Sequence, residues 1–301
     1  MDNIVVVRGT ASNGIAEEIS AILNVPMIGA EYHILADGES YVRIPEKVSG
    51  KIVILVQSTY PPQDKHLIEL FLLMDAIKSY NPKKIILIVP YLAYLERDKR
   101  FKEGEPISAD IMLKMIKNAG ADALVTIEPH RPESLVVFGG KSMIADPLPA
   151  YVAAVPKGLK KAVVLSPDNG GLQRAERFAK LLGTPFTSID KERDKTTGKI
   201  YIKSESTCDF KNRDVIIIDD VISTGGTVAQ AAKFVKSEGA NKVLVIAAHL
   251  IMVGNCGKKI KNAGVSSITG LNTVPSKGTR VVDASRILTE SIEGILRLNE
   301  Y

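Results

Sequence analysis

Apolar residues recur along the chain with two different periods. NIVVV from Asn3, KIVILV from Lys51, KIILIV from Lys84, ALVTI from Ala123, AVVL from Ala162, VIII from Val215, KVLVIAA from Lys242 and SSIT from Ser266 are short runs, most of them β-branched and without polar alternation. Such runs predict strands buried on both faces of a sheet. Between them lie segments whose apolar positions return every three or four residues, as in Asp64 to Tyr80 and Thr227 to Glu238, which predict amphipathic helices. Alternation of the two kinds of segment predicts an α/β fold with mostly parallel central sheets.

The pattern also repeats. Ile4–Val7 resembles Ala162–Leu165, and Lys84–Val89 resembles Lys242–Ala247, both 158 residues apart. The string IKNAG occurs at Ile116 and again at Ile260, where the separation has fallen to 144. About 14 additional residues therefore belong to the first copy, between the strand ending near Pro90 and a helix starting near Ser108. They fall in YLAYLERDKRFKEGEP, a charged loop of a length that more often serves function than connection. Two duplicated domains are expected, residues 1–147 and 148–301.

Bulk properties agree with two domains of about 150 residues. Hydrophobic residues make up 45% and charged residues 24%. The longest apolar stretch, IILIVPYLAYL, is too short and interrupted to span a bilayer. MDNIVVVRGT has no basic region ahead of its apolar run, so it reads as a first strand and a cytoplasmic protein is expected. Cys208 and Cys256 lack metal-like spacing and are expected to be reduced. A net charge of +5 suits phosphorylated small molecules or nucleic acid, but 5% aromatic content without Trp argues against a base-stacking surface.

Chemistry concentrates in VIIIDDVISTGGTV, Val215 to Val228. In a parallel sheet, the carboxyl ends of strands and the loops after them form the ligand crevice, and Asp219 and Asp220 stand there. The following turn enters a helix whose first N–H groups lack helical partners. Those groups and the hydroxyls of Ser223, Thr224 and Thr227 can bind a phosphate, while Gly225 and Gly226 permit close approach. Two acids beside a phosphate cradle would repel the phosphate unless they hold the far end of the same ligand. The arrangement suits a ribose, with its hydroxyls (or a sugar-bound magnesium ion) at the acids and its 5-phosphate in the turn. Incidental surface acids beside a helix cap are the plainer alternative, and neither Gly-x-x-x-x-Gly-Lys nor Gly-x-Gly-x-x-Gly is present.

IIIDDVISTGGT resembles the phosphoribosyl diphosphate (PRPP) motif of type I phosphoribosyltransferases. With ADGES (Ala36–Ser40), PYLAYLERDKR in the long loop, EPH ending at His130, SPDNGG (Ser166–Gly171) and DKERD (Asp190–Asp194), essentially the whole chain resembles the ribose-phosphate pyrophosphokinase family. The resemblance implies two phosphoribosyltransferase-like domains and transfer of the β,γ-diphosphoryl group of ATP to ribose 5-phosphate, with Mg2+. It further implies that Asp219, Asp220 and Ser223–Thr227 hold ribose 5-phosphate, and that Asp168, Asn169, Gly170 and Gly171 form the diphosphate loop. His130 and Asp168 would ligate the metal, and Lys191 and Arg193 would close over the transferring phosphates. ATP would be contacted by Leu35, Asp37, Glu39, Arg97, Asp98, Lys99, Arg100 and His130, with the adenine site completed by a neighbouring subunit of a homo-oligomer.

Three alternatives stay open from the residues alone: a catalytically silent regulatory homologue, a PRPP-using phosphoribosyltransferase, and a nucleic-acid-binding module. Two positions depart from the family pattern. Leu35 stands where an aromatic residue usually covers adenine, and Glu96 stands in LERDK where Ala-Arg-Gln-Asp-Lys is common.

Overall fold

The computed structural model describes residues 3–193, 200–203 and 208–297. The chain divides into two compact units, one of Met1–Pro147, Asn272–Val274 and Asp283–Tyr301, the other of Leu148–Leu271 and Pro275–Val282.

The first unit contains β1 (Ile4–Arg8), α1 (Ile15–Leu23), β2 (Met27–Gly29), β3 (Glu31–Ile34), β4 (Ser40–Arg43), β5 (Ile52–Val56), α2 (Gln63–Lys78), β6 (Lys84–Val89), α3 (Ser108–Asn118), β7 (Ala123–Ile127) and β8 (Lys141–Ala145). The second contains α4 (Leu148–Ala154), β9 (Val163–Ser166), α5 (Leu172–Leu182), β10 (Phe186–Ser188), β11 (Asp190–Arg193), β12 (Ile200–Lys203), β13 (Val215–Ile222), α6 (Gly226–Ser237), β14 (Val243–Leu250), α7 (Cys256–Asn262), β15 (Ser267–Leu271) and β16 (Arg280–Val282). A last helix, α8 (Ser285–Arg297), returns to the first unit.

Each unit is built on a six-stranded sheet, ordered β2-β1-β5-β6-β7-β8 in the first and β10-β9-β13-β14-β15-β16 in the second. The two orders are the same when each strand is matched by rank, and all pairs within both sheets are parallel. Even the excursion is repeated: the antiparallel hairpin β3–β4 follows β2, and the hairpin β11–β12 follows β10. The sixfold strand correspondence bears out the duplicated α/β fold.

Continuous β-branched runs produce this architecture because helices cover both sheet faces. Val215–Ile218 are all buried, as are Val243, Val245 and Ala247 on the neighbouring strand. Each large side chain so removed from water contributes roughly 1.5–3 kcal/mol before entropy is counted. On α6, Val228, Ala231 and Val235 form the buried stripe expected from their spacing.

The additional residues of the first copy lie between β6 and α3, where the second copy needs only the short connection between β14 and α7. The domain division differs from a single cut at 147/148. Residues 272–274 and α8 group with the first unit, α8 packing on α1, β7 and β8 through Ile287, Leu288, Ile292 and Ile295. The chain is tied there by hydrogen bonds from Asn13 Nδ2 to the Asn272 carbonyl (2.6 Å) and from Ser58 Oγ to the Thr273 carbonyl (3.1 Å). An amphipathic helix buries its stripe where a complementary face exists, whichever copy precedes it in the chain.

Candidate active site

In the second unit, the two acids stand within β13, which continues to Ile222, so they belong to the strand's final turns of pleat and not to the loop after it. Asp219 pairs in register with Ala247 of β14. Consecutive strand residues face opposite sides, yet both carboxylates meet one cation. Arg174, in the first turn of α5, places Nη1 3.8 Å from Asp219 Oδ1 and Nη2 3.7 Å from Asp220 Oδ2. Asp219 is held well above the usual carboxylate range, first by burial and then by the charge of Asp220, with Asp168 adding to the effect and Arg174 opposing it.

Past Ile222 the chain turns through Ser223 and Thr224 to Gly225, whose φ of 69° lies in the left-handed region, and α6 begins at Gly226. A side chain at Gly225 would also collide with Cys256 Sγ, since a Cβ there would come within 2.6 Å. Thus Gly225 is required by both backbone conformation and the packing of α7 beneath the turn.

The loop Ser166–Gly171 follows β9, the strand beside β13. Asp168 is exposed and caps the turn into α5, its Oδ1 accepting from Gly171 N at 3.3 Å. Asn169 Oδ1 accepts from Ser188 Oγ at 2.8 Å, which joins this loop to the residues that lead into β11. A Cβ at Gly171 would lie 2.5 Å from Ser166 Oγ and 3.1 Å from Arg174 Nη1, so a close approach is built in. Lys191 and Arg193 stand on β11, opposite Ile202 and Ile200; their side chains, and residues 194–199 of the same charged segment, lie outside the described part of the structure.

In the first unit, the long loop carries Arg97 to Arg100. Arg97 and Lys99 lie over the exposed Phe101 ring, at 5.7 and 5.2 Å from its centre. Arg100 Nε donates to the Glu105 carbonyl at 3.1 Å, and the Glu105 carboxylate accepts from the N–H groups of Phe101 and Lys102. Glu96 is exposed. Asp98 is turned inward and pairs with Arg131 Nε at 2.5 Å, which ties the loop to the chain beside the exposed His130. The order strand, then buried Pro129, then His130 places that imidazole just beyond the carboxyl end of β7.

Leu35, Asp37 and Glu39 occupy the tip of the β3–β4 hairpin, where residues 31–39 are all exposed. Asp37 Oδ1 accepts from Glu39 N at 3.1 Å and closes the turn. The hairpin and the long loop both lean on the start of α2: Lys65 lies 5.8 Å from the Tyr32 ring centre, and the neighbouring Asp64 accepts a hydrogen bond from Tyr94.

Two cations of this geometry escaped the sequence reading. Arg174 was legible in principle, because a pair of adjacent recessed acids calls for a positive partner and GGLQR places an arginine on the first turn after the Ser166–Gly171 loop. Arg131 offered no such signal beyond its adjacency to His130. His66 and His249 are buried, His66 Nδ1 lying 2.6 Å from the Tyr60 carbonyl, and His33 stacks on Tyr41, in line with structural roles.

Known proteins share both the sequence and this architecture. Residues 4–120 match the model of the N-terminal domain of ribose phosphate pyrophosphokinase, and residues 153–281 match the phosphoribosyl transferase domain. The chain is 44% identical to a ribose-phosphate pyrophosphokinase of Sulfurisphaera tokodaii and 41% identical to one of Saccharolobus solfataricus, in each case over 96% of this chain and the whole of the relative. The crystal structure of phosphoribosylpyrophosphate synthetase from Mycobacterium smegmatis superposes with a TM-score of 0.88 at 27% identity, covering 98% of this chain and 99% of that one. On matching length, fold and ordered motifs, the chain belongs to the ribose-phosphate pyrophosphokinase family.

Proposed function

We propose that this chain makes PRPP and AMP from ATP and ribose 5-phosphate, and that the residues gathered above divide the work. The anomeric hydroxyl oxygen of the sugar attacks the β-phosphorus of ATP. The bond from that phosphorus to the oxygen bridging it to the α-phosphate breaks, AMP leaves with the bonding pair, and the hydroxyl proton is released. Family relatives of full length support the reaction class. The observation that carries the site assignment is the acid pair bridged by Arg174, leading into a turn whose glycine opens a helix N-terminus.

Asp219 and Asp220 accept hydrogen bonds from the ribose hydroxyls, and the turn from Ser223 to Thr227 donates N–H and O–H groups to the 5-phosphate. Arg174 offsets part of the mutual repulsion of the two acids and opposes the upward shift at Asp219. Asp168–Gly171 receive the diphosphate. Phosphoryl transfer asks for charge stabilisation more than for a protein nucleophile, which is the part assigned to Lys191 and Arg193. Arg97, Lys99 and Arg100 contact the nucleotide phosphates, whereas Glu96 faces solvent and Asp98 is engaged by Arg131.

Among the described residues, no three His, Cys, Asp or Glu side chains form a metal cluster. Mg2+ is commonly held by one or two protein donors plus substrate phosphates and water. Asp168 and His130, each exposed in its own unit, are the donors proposed for Mg2+, which would neutralise phosphate charge. An adenine site completed by the exposed hairpin tip of a second subunit, in a cytoplasmic homo-oligomer, belongs to the same reading. No helix among the described residues is long and apolar enough to cross a membrane.

Incubation with ATP, Mg2+ and ribose 5-phosphate should yield AMP and PRPP in equal amounts. ADP as the product, or AMP release that is independent of the sugar, would contradict the proposal. A PRPP-using transferase would instead consume PRPP and release diphosphate, and the full-length match to two-domain relatives disfavours it.

A further inference from the structure

The turn assigned to the 5-phosphate is held from behind by α7 and the residues before it. Four successive carbonyls, from Ile222 to Gly225, are all engaged: Ile222 by Met252 N (3.0 Å), Ser223 by Val253 N (3.0 Å), Thr224 by Lys259 Nζ (2.9 Å) and Gly225 by Ala229 N (3.0 Å). Three of these donors are backbone groups. The fourth is a side chain, so it is the part of the scaffold that the sequence can vary.

Across a trans peptide the C=O and the next N–H point in opposite directions. Holding the Thr224 carbonyl toward α7 therefore turns the Gly225 N–H away from that helix. The apolar side of α7 completes the support, with Cys256 and Ile260 against Gly225. We infer that Lys259 is a positioning residue for ribose 5-phosphate, which locks the Thr224–Gly225 peptide in its phosphate-accepting orientation and adds a positive charge behind it. Lys258 and Lys261, on the same short helix and also exposed, provide matched controls of equal charge.

This inference rests on assigning the turn to the sugar phosphate, and calorimetric titration of wild-type protein with ribose 5-phosphate tests that assignment separately. If wild-type protein fails to bind the sugar phosphate, the assignment and the inference fall together. With wild-type binding established, Lys259→Met should weaken ribose 5-phosphate about tenfold and raise its KM correspondingly, with kcat within about twofold and the KM for ATP unchanged. Lys259→Arg should recover most of the loss, and Lys258→Met and Lys261→Met should bind as wild type. Undiminished affinity in Lys259→Met would overturn the inference alone. So would an equal loss in either control, which would mark a general charge effect, or a loss shared by ATP, which would mark damage to the fold.

Discussion

The two units share one sheet order and differ in what stands at the end of their third-ranked strand. Residues 163 apart correspond there: Ile52 with Val215 at the start of the strand, and Gln63 with Gly226 at the start of the helix. The connection therefore has the same length in both, but its chemistry does not match. Asp220 of the second unit is answered by Gln57, and Thr224–Gly225 by Pro61–Pro62. Prolines have no N–H to offer, so the first unit cannot form the same anion-binding turn. Its crevice is filled by its own polar groups as well. The fully buried Gln57 accepts from Ala11 N through Oε1 at 3.2 Å, and the fully buried Glu69 accepts from the hydroxyls of Thr10 and Ser40. A Cβ at Gly9 would come within 2.2 Å of Gln57 Oε1, so Gln57 packs directly against the Gly9 backbone.

The long loop of the first unit carries Arg97, Lys99 and Arg100, whereas the corresponding connection in the second unit is short and lies next to the Ser223–Thr227 turn. The two scaffolds are thus alike in strand order and differ in their loops: one carries the acid pair and glycine turn proposed for the sugar phosphate, the other the cationic loop proposed for the nucleotide. Glu69 shows how the closed crevice became structural, because its hydroxyl partners join the loop after β1 to the hairpin that displays Leu35.

The hairpins should give the sharpest contrast. Lys191→Ala, on the second-unit hairpin, is expected to lower kcat by roughly a hundredfold or more with little change in either KM, because the charge it stabilises develops during transfer. A pure rise in KM in steady-state kinetics would assign it to substrate binding. The acid pair comes next. Asp220→Asn should weaken ribose 5-phosphate by on the order of 1 to 3 kcal/mol while leaving ATP in place.

Much of this contrast was legible in the sequence. The runs at Ile4, Lys84, Ala162 and Lys242 revealed the duplication because buried parallel strands demand continuous apolar residues, and the IKNAG repeat located the loop insertion by arithmetic alone. The acids and glycines of the phosphate turn were visible because each has a local chemical reason. Contacts made across distant sequence were not visible. Nothing in the local pattern tells that α8 returns to the first unit, that Asp98 turns inward to Arg131, or that Lys259 reaches the Thr224 carbonyl. Pairings such as these depend on packing, which local periodicity does not encode.

A third variant separates binding from folding. Asp219 has its pKa raised by burial and by Asp220, so the folded protein holds its proton more tightly than the unfolded chain does. Its contribution to stability is then greatest at low pH and is lost as pH rises from the ordinary carboxylate range through the raised value. Asp219→Asn should therefore stabilise the protein near neutral pH by on the order of 1 kcal/mol while impairing sugar binding, a trade characteristic of functional sites. Thermal melts across pH check both sign and slope; a destabilised variant at neutral pH would show that the acid is structural.

The smallest expected effects lie on the first unit. Leu35→Phe should improve ATP relative to GTP by roughly 0.5 to 1.5 kcal/mol if an aromatic ring there adds stacking on adenine. In the same competition assay, Arg97→Ala should raise the KM for ATP well beyond Glu96→Ala. The reverse order would displace the nucleotide from this loop.

The division of labour between the units is tested most directly by one calorimetric comparison. Ribose 5-phosphate and a non-hydrolysable ATP analogue would each be titrated into Asp219→Asn/Asp220→Asn and into Arg97→Ala. The account predicts crossed losses, with the sugar phosphate lost from the second-unit variant and the nucleotide from the first-unit variant. Full ribose 5-phosphate affinity in the double variant would contradict it.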